Sequence, residues 1–429
     1  MKVYVKKQNL KGTITVPGSK SHTIRSVLLS AMAKGTSVIT NPLASNDCLS
    51  SVAAARAFGA KVTLEPKRWI IEGCAGNLML PENCVDTQNS GTTTSLIMGM
   101  AGLCKGTTII TGDEQIRRRP VKEFVSVLNE LGAAAKLTSP ERNAPPVIIE
   151  GVMKGGTAHL SGFFSQFVSS ILLSAPLLKN KTTVLVEKPL EKPYLQMSLD
   201  WIKKYGGKVT NSSDYSTFEI EGNQKYTAQE CTIPSDWSGV AFPLVAAVIT
   251  ESDVTISGVD FDDCQGDKEV VQHLIKMGAD IKIDKKNHCM HITGGKKLHS
   301  NLEINLNDIP DSLPALTVAA CFAEGKTQFT GLAHVRVKET DRVAVMSEVL
   351  TKCGADVEIG PDYMIITGGK PLHGAEINSY DDHRVAMAMA VCGLWTGGTM
   401  VIDNAECASV SFPGFYELMN EIGADFCKK

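Results

Sequence analysis

The chain has 429 residues, which at about 150 residues per domain predicts two to three domains, and its 43% hydrophobic content suits a chain that buries real cores. Lys+Arg minus Asp+Glu is 43 − 46 = −3, so no bulk positive field exists to hold nucleic acid or an anionic membrane surface, and any anion must be met locally. The longest apolar runs, Leu96 to Leu103 and Val240 to Ile249, fall far below the ~20 residues of a membrane span and contain Gly or Pro. The start of the chain lacks the apolar core of a secretory signal, and the 12 cysteines show neither a C-x-x-C pair nor zinc-like spacing. A soluble cytoplasmic protein with reduced thiols is expected.

Read in chain order, one unit recurs six times. An apolar-Gly-small step appears at Phe58-Gly59-Ala60, Leu131-Gly132-Ala133, Tyr205-Gly206-Gly207, Met277-Gly278-Ala279, Cys353-Gly354-Ala355 and Ile422-Gly423-Ala424. The glycines are 73, 74, 72, 76 and 69 residues apart, and 429/6 is 71.5, so one unit tiles the chain. A polar cluster leading into a small-residue, apolar, helix-length segment keeps the same period, starting near Gly18, Asn89, Ser161, Pro234, Asp308 and Ser379.

Within a unit, a β-rich run such as Thr107-Thr-Ile-Ile or Thr327-Gln-Phe-Thr leads through a polar loop to an amphipathic helix. The Gly-small turn ends that helix, and two strands follow, as in Ala279-Asp-Ile-Lys-Ile with His288-Cys-Met-His-Ile. The other helix of each unit is apolar nearly all round, as in Val385-Ala-Met-Ala-Met-Ala-Val and Leu316-Thr-Val-Ala-Ala-Cys-Phe, which marks it as buried on every side. Six such helices suggest two domains of three units each, with the buried helices parallel inside each domain. Each polar N-terminal end reads by itself as a helix cap, and the six together, with free N–H groups and positive dipole ends, suggest a phosphate or carboxylate site.

Basic residues gather at those ends. Lys20 and Arg25 follow Pro17-Gly18-Ser19; Arg117, Arg118 and Arg119 precede Pro120, which suits the first turn of a helix; Arg336, Lys338 and Arg342 flank Glu339 and Asp341; His383 and Arg384 follow Asp381-Asp382. Arginines at loop-to-helix junctions suit bidentate capture of carboxylate or phosphate, so the substrates should carry several negative charges. The acid–base candidates are Asp311, Glu339 and His383, although Asp311 alone reads as a helix cap and Glu339 as an ordinary ion-pair partner. His288 and His291 lie three apart on a strand and so face opposite sides, which argues against a metal pair. No G-x-G-x-x-G opens a helix and no Walker-type segment follows a strand.

Gly18-Ser-Lys20-Ser21-x-x-x-Arg25, Asn89-Ser-Gly91-Thr92, Arg119-Pro120, Ser165-Gln166-Phe167, Lys192-Pro193-Tyr194, Asp311, Arg336-Val-Lys338-Glu339-Thr-Asp-Arg342 and Asp382-His383-Arg384 resemble, in order and over the whole chain, the EPSP synthase family of enolpyruvyl transferases. The resemblance implies an α/β fold of two inside-out, barrel-like domains, each of three βαβαββ repeats around buried parallel helices, with an interdomain cleft. Residues 18–234 would form the inserted domain, 1–17 plus 235–429 the other, and hinge strands would lie near 16–20 and 233–236. It further implies transfer of the enolpyruvyl group of phosphoenolpyruvate to the 5-hydroxyl of shikimate 3-phosphate, a step of the shikimate pathway to chorismate and the aromatic amino acids. No metal or organic cofactor would be needed, and the protein would be a monomer.

The same resemblance places Lys20 between the substrates. It assigns Gly91, Arg119, Arg342 and Arg384 with Lys20 to phosphoenolpyruvate, and Ser21, Arg25, Ser165, Gln166, Tyr194, Asp311 and Lys338 with Lys20 to the acceptor. Asp311 would accept the hydroxyl proton, Lys20 and Glu339 would move protons at the methylene carbon, and His383 would assist. Domain closure would bring Lys20 and Arg119 to Asp311, Glu339, Arg342 and Arg384.

Several positions depart from the family pattern. Phe164 and Glu191 stand where serines ordinarily help hold the acceptor phosphate, His334 replaces an asparagine, Ser95 an arginine, and Val410 a lysine found in some members. A glutamate there would repel a dianion unless a cation compensates. An enolpyruvyl transferase with a different alcohol acceptor is therefore the alternative. A UDP-sugar acceptor is disfavoured by the lack of a cysteine between Gly112 and Arg119, and a non-catalytic anion-binding scaffold by the retained acid–base set.

Overall fold

The computed structural model describes residues 1–139 and 141–429. Their strands form six four-stranded sheets with one shared order. In each, the first strand of a repeat lies parallel to the second, and the fourth runs antiparallel between the second and the third. Leu298–Asn305 thus lies beside Ala323–Thr330, then Tyr363–Gly368, with Asp356–Ile359 at the edge. The parallel pair needs a helical crossover, and the antiparallel pair needs only a turn.

The chain divides into two compact units, Met1–Pro17 with Pro234–Lys429, and Gly18–Ile233. Connectivity between them is crossed. Strand Lys11–Thr15 pairs in parallel with Asp253–Ser257, yet the chain runs on from it into the helix Lys20–Met32 of the other unit. Strand Glu230–Thr232 pairs in parallel with Thr36–Thr40, yet runs on into the helix Trp237–Ile249. Each opening strand therefore precedes the buried helix of the other unit. The N-terminal strand Val3–Val5 supplies the fourth strand of the last repeat, between Met400–Asp403 and Cys427–Lys428.

The six repeat glycines explain the period. Gly59, Gly132, Gly206, Gly278, Gly354 and Gly423 all have φ between +87° and +100°, each just past the end of an amphipathic helix. The chain must turn left-handed there to release the helix and start a strand, and Gly does so without the Cβ clash. The other helix of each repeat is core. Trp237–Ile249 and His383–Gly393 are buried along their entire lengths, and with Leu313–Phe322 they pack on one another in the first unit. In the second unit Gly91–Ala101 packs on both Lys20–Met32 and Ser165–Ser174.

Two local expectations change. Arg119-Pro120 does not open a helix: a 3-10 turn spans Ile116–Arg118, Arg119 is extended (φ −74°, ψ 131°), and the helix begins at Lys122. Proline drives the preceding residue out of the helical region, which breaks the chain at Arg119. His288 lies in the turn before strand Cys289–Thr293 at φ +50°, and His291 bonds Asp253 at 2.7 Å. Among the described residues no helix is long and apolar enough to cross a membrane.

Candidate active site

In the unit Gly18–Ile233, the polar residues sit at the N-termini of buried helices. Lys20 begins the first, and its Nζ pairs with Asp47 Oδ2 at 2.9 Å. Asp47 also accepts the Thr93 hydroxyl at its main-chain oxygen (3.3 Å), tying Lys20 to the helix Gly91–Ala101. Thr92 of that helix accepts Gln166 Nε2 at 3.2 Å, which reaches the third buried helix, Ser165–Ser174. The three ends are thereby joined, with Lys20 and Gln166, both assigned to substrate, at either end of the chain of contacts.

Arg25 is 1% exposed and bridges the helices Lys20–Met32, Ser165–Ser174 and Lys192–Lys204. Its Nε donates to Ser198 Oγ (2.9 Å), Nη1 to the Ser21 main-chain oxygen (3.1 Å), and Nη2 to Ser169 Oγ and the Tyr194 main-chain oxygen (3.4 Å each). Arg119 lies against Gly91: a Cβ added at Gly91 would fall 2.1 Å from Arg119 Nη1. Asp113 holds the preceding turn, accepting the Ile116 N–H at 3.0 Å and Asn89 Nδ2 at 2.6 Å. Glu191 is buried with φ +53°, and its Oε2 accepts the Ser165 hydroxyl at 2.5 Å and the Ser165 N–H at 3.3 Å. Burial of this carboxylate at a helix N-terminus is the arrangement the helix dipole favours.

The unit Met1–Pro17 with Pro234–Lys429 concentrates charge. Arg342 donates from Nε to Asp382 (2.8 Å), from Nη1 to Asp311 (2.8 Å) and from Nη2 to Glu339 (2.5 Å). Arg384 Nη2 donates to the second Asp311 oxygen (2.8 Å) and to Ser238 Oγ (3.0 Å). Asp311 is thus clamped by two guanidinium groups, not used as a helix cap. Burial opposes the charge on Arg342, but Asp382, Glu339 and Asp311 more than offset it, so its pKa lies above the ordinary guanidinium value. Arg384 is likewise raised, burial being outweighed chiefly by Asp311. Arg384 Nε is buried with no hydrogen-bond partner among the described residues.

His383 is the first residue of its helix and is buried beside Arg384 in the chain. Lys338 ends the 3-10 turn Ala333–Val337, which also buries His334 completely. Arg336 is held by Asp341 at 2.7 Å and by the Pro361 main-chain oxygen at 3.0 Å, a structural role.

Sequence reasoning passed over Asp47, Asp236, Asp267 and Asp382. Asp382 accepts the main-chain N–H of Arg384 at 3.0 Å and the Thr340 hydroxyl at 3.0 Å besides the Arg342 guanidinium, so one carboxylate caps the helix that carries Arg384 and holds the Arg342 side chain. Asp236 caps Trp237–Ile249 by accepting the Ser238 and Gly239 N–H groups, and it also takes the Ser238 hydroxyl at 2.6 Å. Asp267 accepts the Ser312 hydroxyl at 2.6 Å. Burial first, and then Asp311, push its pKa up to about 6. An acid directly before a buried helix is a visible signal, but it reads equally as a cap.

Six repeated α/β sheets around buried helices, with arginines and carboxylates at the helix N-termini, define a group-transfer enzyme of anionic substrates. A family model described as EPSP synthase (3-phosphoshikimate 1-carboxyvinyltransferase) matches residues 5–419. Proteins named 3-phosphoshikimate 1-carboxyvinyltransferase from Ruminiclostridium cellulolyticum and Acetivibrio thermocellus are 44% and 41% identical, covering 98% and 99% of both chains. A solved EPSP synthase from Acinetobacter baumannii superposes with a TM-score of 0.83 at 31% identity, covering 99% of both chains. The chain belongs to the EPSP synthase family. A different alcohol acceptor, suggested by Phe164 and Glu191, is not favoured by these relationships.

Proposed function

We propose that this chain transfers the enolpyruvyl group of phosphoenolpyruvate to the 5-hydroxyl of shikimate 3-phosphate, releasing phosphate, as a step of aromatic amino acid biosynthesis. The observation that carries the reading is Asp311 held between Arg342 Nη1 and Arg384 Nη2 at 2.8 Å each, which unites a base with two fixed anion donors. The carboxylates of Asp311 and Glu339 pair with the same guanidinium groups that are assigned to phosphoenolpyruvate, so the buried cations of Arg342 and Arg384 are compensated within the fold.

Lys20 and Glu339 are assigned to the methylene carbon. A proton added to C3 leaves C2 electron-poor; the acceptor oxygen bonds to C2 while its proton passes to Asp311. C3 then loses a proton, the C2–O bond to phosphate breaks, and C2=C3 reforms. Arg119, Arg342 and Arg384, with the Gly91 main chain, hold the carboxylate and phosphate of phosphoenolpyruvate, and fixed guanidinium groups stabilise the charge moving onto the leaving group. Ser21, Arg25, Ser165, Gln166, Tyr194 and Lys338 hold the acceptor, and His383 assists. The protein is read as a cytoplasmic monomer with a hinge near 16–20 and 233–236.

The test is phosphate release from phosphoenolpyruvate with and without shikimate 3-phosphate, using Asp311→Ala as control. Release that requires both the acceptor and Asp311 supports the reading. Binding of phosphoenolpyruvate without release would overturn it.

A further inference from the structure

Three arginines follow one another at 117–119, yet they are held differently. Arg117 Nη1 donates to the Gly112 main-chain oxygen, and Arg118 folds back on Glu114, with Nε on its main-chain oxygen (3.2 Å) and Nη2 on its carboxylate (3.3 Å). Arg119 lies just past the 3-10 turn Ile116–Arg118, and its Nη1 reaches Gly91. A 3-10 turn of three residues has too few hydrogen bonds to hold its own direction. An attachment outside the turn must set where Arg119 points.

Asp113 supplies that attachment. Its N–H donates to the Gln88 main-chain oxygen at 2.8 Å, its Oδ2 accepts Asn89 Nδ2 at 2.6 Å, and its Oδ1 accepts the Ile116 N–H at 3.0 Å. Ile116 in turn accepts the Arg119 N–H at its main-chain oxygen (3.1 Å). On the other side, Asn89 precedes Ser90, which caps the helix Gly91–Ala101 by accepting the Thr93 N–H at 3.2 Å. One half-buried carboxylate therefore links the helix mouth that carries Gly91 to the turn that carries Arg119.

We infer that Asp113 is a positioning residue for phosphoenolpyruvate: it fixes Arg119 against Gly91 by bonding Asn89 with one oxygen and the Arg119 turn with the other. The inference rests on the assignment of Gly91 and Arg119 to that substrate. Its signature comes from amide chemistry. An ionised carboxylate accepts at both oxygens, whereas an amide accepts at one end and donates at the other. In Asp113→Asn the new amide keeps the Ile116 N–H only by turning its NH2 group toward the NH2 group of Asn89, so two donors face each other. Exchanging the pair, Asn89→Asp with Asp113→Asn, restores a donor opposite an acceptor and leaves the net charge unchanged.

Steady-state phosphate release is measured with the full chain, varying each substrate in turn, for wild type, Arg119→Lys, Asp113→Asn, Asn89→Ala and the exchange. Asp113→Asn should raise KM for phosphoenolpyruvate about tenfold, the value of a hydrogen bond to a charged group, and leave KM for shikimate 3-phosphate within about twofold. The exchange should return the first constant to within about threefold of wild type, because the coupling between the two side chains is restored. Asn89→Ala keeps the Ile116 bond and loses only the link, so a rise of about three- to fivefold in the same constant is expected. This variant decides the matter if Asp113→Asn does not fold. A raised KM in Arg119→Lys, with Asp113→Asn and Asn89→Ala at wild-type values, overturns the role of Asp113 alone. An equal rise in both constants that the exchange leaves in place overturns it too, since that marks a general loss of structure. An unchanged KM for phosphoenolpyruvate in Arg119→Lys overturns the assignment of Arg119 and the inference with it.

Discussion

Glu191 closes the N-terminus of the helix Ser165–Ser174, its carboxylate accepting both the hydroxyl (2.5 Å) and the N–H (3.3 Å) of Ser165. Phe164, on the same turn, packs edge-on against Phe163 and Phe167, with ring centroids 4.8 and 5.1 Å away. The serine assigned to the acceptor is therefore engaged by an internal anion, and shikimate 3-phosphate must displace it. Glu191→Ser combined with Phe164→Ser should tighten shikimate 3-phosphate binding about tenfold, the value of one charge-assisted bond no longer contested. Calorimetric titration showing unchanged or weaker binding would sink this account.

Arg342 answers three carboxylates from a position 1% exposed. Arg342→Met fills similar space but leaves Asp311, Glu339 and Asp382 without their shared cation. A loss of about 3–5 kcal/mol is expected, because breaking one side of a buried ion cluster strands the other. Urea unfolding should show the midpoint falling; a midpoint equal to wild type would mean that the acids are relieved some other way.

Two glycines at the mouths of buried helices should respond differently to alanine. At Gly18 a Cβ would fall 2.2 Å from the Asn41 main-chain oxygen, which cannot swing aside, and Gly18→Ala should cost about 1–3 kcal/mol of stability. At Gly91 the obstruction is the far end of Arg119, at 2.1 Å, and a long side chain can move. Gly91→Ala should stay within about 1 kcal/mol of wild-type stability while raising KM for phosphoenolpyruvate. Paired unfolding and steady-state measurements check both, and an unchanged KM would separate Arg119 from that substrate.

Asp267 also gives a pH signature in stability. Its pKa is about 6 in the fold against an ordinary 3.8, so between those values the folded chain binds more protons than the unfolded one. Stability contributed by this group is present below about pH 4 and is lost as pH rises through about 6, amounting to no more than about 3 kcal/mol. Asp267→Asn should therefore raise the melting temperature at pH 8 and not at pH 4. Equal shifts at both values would show that the carboxyl charge is not the cause.

The repeat was legible because its causes are local. A left-handed turn needs glycine at Gly59 and its five counterparts, and a helix buried on all sides must be apolar all round, as at Val385 to Val391. These demands fall on residues next to one another in the chain and survive in any reading of period. Lys20, Asp311, Arg342 and Arg384 could also be picked out, since each stands at the start of a buried helix or beside a fixed motif.

The six units, their turns, the buried helices and the residue types at the helix ends all follow from residues adjacent in the chain. The partners of those residues follow from the fold. Arg342 reaches Asp311 across 31 residues and Arg384 reaches Asp311 across 73, while Glu191 enters the Ser165 turn across 26. A carboxylate before a helix looks the same in the chain whether it caps that helix, as Asp236 does, or clamps a distant arginine, as Asp311 does. Hydrogen-bond partners and desolvation depend on which helix ends meet, and packing of the buried helices sets that meeting.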